Sequence, residues 1–230
     1  MNSFLINGSP DTSNGIHSSL LDSLEKGLRE AGSEINRVNA YELDVNPCTS
    51  CFSCWKGTPG VCSQKDDMEP VLAQVAESDL MVLATPVYLD GMTGPLKIVI
   101  DRLLPLLMGR VELRDGRMRH LVRDGVKRGS VMLVSASGFS ELDTFYPLVT
   151  HIKAISRNLG RDYVGGILLP SGWYIRRQRE LWSRVSQMIT STGYDLGKNG
   201  GFEDLTSEIT SMISRETVIE HLNLAYGKYE

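Results

Sequence analysis

No run of apolar residues in this chain is long enough to cross a bilayer. The longest nearly unbroken stretch, Leu80 to Leu89, falls well short of the roughly 20 residues that a spanning helix needs. A basic excess is missing too: 24 Lys and Arg stand against 28 Asp and Glu, a formal net charge of −4, which leaves no electrostatic footprint for nucleic acid. The first residues lack the basic segment and apolar stretch of a secretory signal and run straight into Phe4–Leu5–Ile6, so the expected compartment is the cytoplasm. Histidine is sparse, and His17, His120, His151 and His221 are scattered without ligand spacing, so each reads as structural. Cysteine is scarce as well, but its placement is informative.

All four cysteines, Cys48, Cys51, Cys54 and Cys62, fall within fifteen residues, separated by gaps of two, two and seven. Three thiolates can converge from one tight turn while the fourth folds back over them. Such a set suits an iron–sulfur cluster or a zinc ion, since both take four soft, deprotonated sulfurs. Zinc sites more often use two separated pairs, which favours the cluster. Two disulfides are the competing reading, disfavoured in a reducing compartment. The adjacent Asp66 and Asp67 read as an N-cap and an acidic first turn for the helix that follows.

Around this block the chain alternates strand and helix. Ser3–Asn7 is a short apolar strand that stops at Gly8–Ser9–Pro10, and Ile16, Leu20, Leu21, Leu24 and Leu28 then recur at helical spacing. The loop between them offers hydroxyls and free N–H groups at a helix start, where the dipole favours an anion. It has neither the Lys-Ser/Thr ending of a triphosphate loop nor the glycine spacing of a dinucleotide fingerprint, which points to a mononucleotide such as FMN. Ser13 or Ser18 acting only as a helix cap is the alternative. Glu34–Asn39 reads as an edge strand and Asp79–Ala84 as a buried central one, ending in Thr85–Pro86–Val87–Tyr88. Met108 to Arg128 is a polar excursion, a candidate hairpin with Asp115–Gly116 at its turn. Val131–Val134 is a strand ending in Ser135–Phe139, Tyr163–Leu169 the fifth strand, and Trp173–Thr192 a single helix. Five strands alternating with helices predict an α/β fold with a doubly wound parallel sheet. The division expected is a domain over residues 1–198 and a helical extension over 199–230, packed on the same domain or on a second subunit.

Gly8–Ser9–Pro10, the four-cysteine block ending in Asp66–Asp67–Met68, and Thr85–Pro86–Val87–Tyr88 followed by Gly94 to Arg102 together resemble the iron–sulfur flavoprotein branch of the flavodoxin-like NAD(P)H-dependent FMN reductases. That resemblance implies a phosphate site at Ser9, Ser13, Asn14 and Ser18. It implies packing of Pro86, Val87 and Tyr88 on the isoalloxazine, and Ser135, Ser137 and Gly138 near the pyrimidine side. It implies Cys48, Cys51, Cys54 and Cys62 as ligands of a 4Fe–4S cluster, and a homodimer or homotetramer in which a neighbour covers the flavin. Asp11 departs from the family, whose members often carry a basic residue there. The function expected is an FMN oxidoreductase with NAD(P)H or a ferredoxin-like protein as donor, in which no side chain serves as a catalytic nucleophile. The alternatives are a reductase without a cluster, or a non-catalytic electron carrier or zinc-binding module. Because the block follows the second strand, it is expected at the same sheet edge as the phosphate loop.

Overall fold

The computed structural model describes residues 1–227; positions 228–230, the end of the expected extension, lie outside the described residues. In chain order the elements are β1 (Asn2–Asn7), α1 (Ile16–Glu30), β2 (Glu34–Asn39), α2 (Ser53–Lys56), α3 (Met68–Glu77), β3 (Leu80–Pro86), α4 (Gly94–Asp101), β4 (Leu107–Arg114) and β5 (Arg117–Val122). They continue with β6 (Ser130–Ala136), α5 (Tyr146–Asn158), β7 (Asp162–Leu169), α6 (Gly172–Arg177), α7 (Arg179–Asn199), α8 (Thr206–Ser211) and α9 (Arg215–Tyr226).

Five strands form one parallel sheet in the order β2-β1-β3-β6-β7, the flavodoxin-like arrangement. The period of two sorts their side chains onto two faces. Phe4, Ile6, Met81, Leu83, Val131 and Leu133 pack beneath α3, α4 and α5. Leu5, Val82, Ala84, Met132, Val134 and Ile167 pack beneath α1 and α7. Every residue of β3 is buried, as a strand covered on both faces requires. The sheet's switch point, where the connections reverse direction, lies between β1 and β3, and ligands of such sheets sit at the carboxyl ends of the strands beside it.

Helices α1 and α7 touch backbone to backbone. A Cβ at Gly27 would run into the Thr190 carbonyl, and one at Gly193 into the Leu24 carbonyl. The segment Leu107–Val122 is the antiparallel hairpin anticipated, with Asp115 and Gly116 both at positive φ in the turn. The expected single helix over Trp173–Thr192 is instead two, broken at the extended Gln178. No Gly or Pro marks that break; Ile175 of α6 is buried in the core shared with α1 and α7. The C-terminal segment packs on its own chain: Ile209 is buried in the core shared with α1 and α7, and Phe202 lies against Gly165. Gly165 sits at a β-bulge between β6 and β7 with φ +121°, open to glycine alone.

Candidate functional site

Three loops leave the carboxyl ends of β1, β3 and β6 and are tied to one another by buried polar side chains. Asn7 shapes the first: its Oδ1 accepts the Ser9 N–H at 3.0 Å and its Nδ2 donates to Ser18 Oγ at 3.2 Å. Asn39 at the end of β2 holds the Ser9 carbonyl at 3.2 Å. Gly8 donates its N–H to the Ala84 carbonyl, and its own carbonyl accepts the Thr93 hydroxyl at 2.6 Å. A Cβ at Gly8 would collide with Leu96, and one at Gly15 with Asp11, so the loop closes only on glycine. Gly15 is the N-cap of α1, and no side chain caps the helix. The first amides of α1 therefore point out of the loop without an intrahelical partner, a cradle suited to a phosphate.

Ser13 and Asn14 stand exposed at this cradle and Ser9 is buried at its base. Ser18 is placed differently: its hydroxyl bonds the Asp11 and Thr12 carbonyls and serves the loop itself. Asp11 Oδ1 accepts the Asn14 N–H at 3.3 Å, so a carboxylate already occupies part of the anion-binding surface.

In the second loop Pro86 is buried, Val87 half-buried and Tyr88 about half exposed. Tyr88 and Gly91 exchange backbone hydrogen bonds around Leu89 and Asp90, both at positive φ. A two-residue turn of this kind normally takes Asn-Gly, so Leu-Asp stores strain here. In the third loop the Ser135 hydroxyl donates to the Thr85 carbonyl at 2.7 Å, bracing β6 against β3. Ser137 Oγ accepts the Phe139 N–H, and Gly138 is half-exposed.

His17, read from sequence as structural, joins all three loops. From the first turn of α1 its Nε2 accepts the Ala136 N–H at 3.2 Å, and the ring also bonds the Thr85 backbone. Burial lowers its pKa to about 4. A folded pKa below the unfolded value of about 6.5 means that its stabilising neutral form is fully present above pH 6.5. That contribution is lost as pH falls toward 4, by about 2–3 kcal/mol at pH 4.5. Denaturant unfolding at pH 7 and 4.5 should therefore show a smaller acid loss in His17→Gln than in the parent. Parallel losses would show that His17 is not buried neutral.

The cysteine block does not stay at this edge. After Asn39 the chain runs to the start of α3 and the end of α4, where a buried ion pair holds it. Asp66 and Arg102, both almost wholly buried, form a two-point ion pair at 2.6 and 2.9 Å. The Arg102 guanidinium also donates to the Asn46 carbonyl at 2.6 Å and to Cys62 Sγ at 3.3 Å. The Asp66 carboxyl lies below its ordinary pKa because Arg102 hydrogen-bonds it. The capping role falls to Asp66, whose Oδ1 also accepts the N–H of Met68 at the start of α3 at 3.2 Å. Asp66 anchors the block, while Asp67 makes no side-chain cap and bonds the Asp44 N–H across the loop.

All four cysteines are free and line one pocket with Arg102, Leu104 and Pro105. The one-turn helix α2 carries the buried Cys54, whose thiol is pushed up by burial and by neighbouring Cys62. Cys51 is exposed, and hydrogen bonds from Ser53, Ser63 and Thr49 lower its pKa to about 6. Hydrogen bonds thus support negative sulfur at Cys51 and, from Arg102, at Cys62, and four soft donors in one pocket fit a thiolate-ligated centre. Among the described residues no three His, Cys, Asp or Glu side chains are gathered tightly enough to form a closed metal cage. Helix α4 links the two regions. Thr93 at its start holds the phosphate loop and Arg102 just past its end holds the cysteine block, with eight residues, roughly 12 Å, between.

The family model for NADPH-dependent FMN reductases matches residues 1–137. An iron–sulfur flavoprotein of Archaeoglobus fulgidus is 33% identical over 132 residues, 57% of this chain and 63% of that protein, so the chain spans less than two thirds of its relative's length. Among solved structures, an NAD(P)H:quinone oxidoreductase from Methanothermobacter marburgensis superposes with a TM-score of 0.64 at 12% identity, covering 85% of this chain and 96% of that one. An FMN-dependent NADH-azoreductase from Bacillus anthracis, solved with FMN, gives 0.61 at 16% identity over 85% and 99%. At such identities the two structures speak for the fold. No described helix is long and apolar enough to cross a membrane.

Proposed function

This chain belongs to the NADPH-dependent FMN reductase family, and from that premise we propose that it is an FMN-dependent oxidoreductase of the iron–sulfur flavoprotein kind. The observation that carries the reading is the uncapped amide cradle at the start of α1, closed by two obligatory glycines and braced to the other two loops by Thr93 and His17. Ser9, Ser13 and Asn14 would hold the FMN phosphate with the α1 amides, while Ser18 shapes the loop from behind. Pro86, Val87 and Tyr88 would pack on the ring, with Gly138 and the Ser137 backbone at its pyrimidine side. Ser135 would hold those two loops in register. FMN supplies hydride acceptance from NAD(P)H and release of single electrons. The side chains orient the ring and shield it, and none needs to act as a nucleophile. Cys48, Cys51, Cys54 and Cys62 would ligate a 4Fe–4S cluster, with NAD(P)H or a ferredoxin-like protein as donor, in a cytoplasmic homodimer or homotetramer. A plain FMN reductase without a cluster is the second reading, and iron and sulfide analysis of the reconstituted chain separates the two.

Ser13→Glu tests the flavin. The position is exposed, so the fold should tolerate the change, yet the new carboxylate stands where a phosphate would. FMN affinity should fall about thirtyfold, some 2 kcal/mol, for like charges at a part-solvated site. Removing charge should do the reverse: Asp11→Asn is expected to tighten binding about fivefold, as roughly 1 kcal/mol of repulsion disappears. Fluorescence titration of FMN reads both, and unchanged affinity in the pair would place the phosphate elsewhere.

A further inference from the structure

A second cavity, of about 590 Å³, opens beside the cysteine pocket and away from the flavin edge. Helix α4, helix α5 and the β4–β5 hairpin form its walls, and Cys48 is shared between it and the cysteine pocket. We propose that this cleft is a binding site for a small planar aromatic molecule carrying one anionic group. The binding rests on the cleft alone and not on the flavin or the cluster, so the two readings fail separately.

Size is the first argument. Ligand sites of proteins generally enclose some 300–1,000 Å³ with apolar walls and a few convergent polar groups. Here Ile100, Leu103, Leu107, Ile155 and Leu159 supply the apolar floor. Charge is the second. Lys97 and Arg119 meet a single carboxylate in the lining, Asp101, which Lys97 already engages at 2.6 Å. Among the described residues Arg119 has no carboxylate partner, so among its Lys, Arg, Asp and Glu side chains the cleft holds one uncompensated cation.

The third argument is aromatic. His120 lines the cleft. The His120 ring packs at a tilt against Trp55 with centroids 4.5 Å apart, and Trp55 likewise against Phe52 at 5.2 Å. An aromatic ligand extends that row. Its site would abut Cys48, one partition from the proposed cluster, and would be distinct from a substrate position over the flavin.

The probe is 2-naphthoate, redox-inert and unreactive toward thiols, titrated by calorimetry into the full chain under argon. For a ligand of this size a dissociation constant of about a millimolar or tighter is expected. Arg119→Met should weaken binding about tenfold, as should replacing the probe with neutral 2-naphthalenemethanol. Ala154→Trp should fill the cleft and abolish binding. Asn158→Trp narrows it from the exposed rim and keeps the test open if the first variant misfolds. Saturating FMN should leave the affinity unchanged. Four results would overturn the proposal: no binding at several millimolar probe, full binding in Asn158→Trp, competition by FMN, or loss of binding as protein concentration rises, which would mean that a second copy covers the cleft.

Discussion

Reconstituted under argon, the parent chain should carry four irons and four sulfides, and Cys51→Ser should lose them while keeping its FMN. The ratio four is the stoichiometry of the cluster proposed for Cys48, Cys51, Cys54 and Cys62. Cys51 is the informative choice because it is exposed and its supporting hydroxyls are outside the core, so serine there costs the fold little. The expected loss of iron is all or none, since one missing thiolate opens the centre to solvent. Retention of FMN separates the two sites, as the block lies at the far end of α4 from the phosphate loop. Aerobic material is uninformative, because exposed low-pKa thiolates oxidise and clusters are lost with them. Stoichiometric zinc, or no metal in the reconstituted parent, would remove the cluster from the proposal and leave a plain FMN reductase.

Arg102→Met should destabilise the protein by about 3–5 kcal/mol, measured by denaturant unfolding at neutral pH. The cost comes from what remains. The Asp66 carboxylate would stay almost wholly buried and keep only two backbone N–H donors, those of Asn46 and Met68. The Asn46 carbonyl and Cys62 would lose their donor as well. Pairing the change with Asp66→Leu should recover a large part of the loss, because replacing both partners removes the unpaired charge. A single-variant effect below about 1 kcal/mol would mean that water reaches Asp66 and that the pair does not anchor the block.

Much of the architecture was legible because its signals are local. Apolar runs such as Leu80–Ala84 and periodic sets such as Leu20–Leu24–Leu28 can be buried in few other ways, and Asp115–Gly116 sits in the turn its chemistry favours. The three loops at one edge followed from strand–helix alternation alone. Their internal assignments did not. Ser18 and Ser135 look like ligands in a string of small residues, yet both hydroxyls are satisfied by protein carbonyls. His17 looks like an unremarkable first-turn residue, and only the approach of β3 and β6 makes it a joint.

The amino-acid sequence by itself determined the parallel α/β sheet, the hydroxyl-rich loop before α1 and the grouping of four cysteines, because periodicity and spacing act within a few residues. Tertiary structure decided where the cysteine block goes. A pair such as Asp66 and Arg102, thirty-six positions apart, has no local signature, and it fixes the block at the far end of α4 rather than at the expected edge. The same long-range packing opened the cleft beside Cys48, whose lining comes from segments that share no motif.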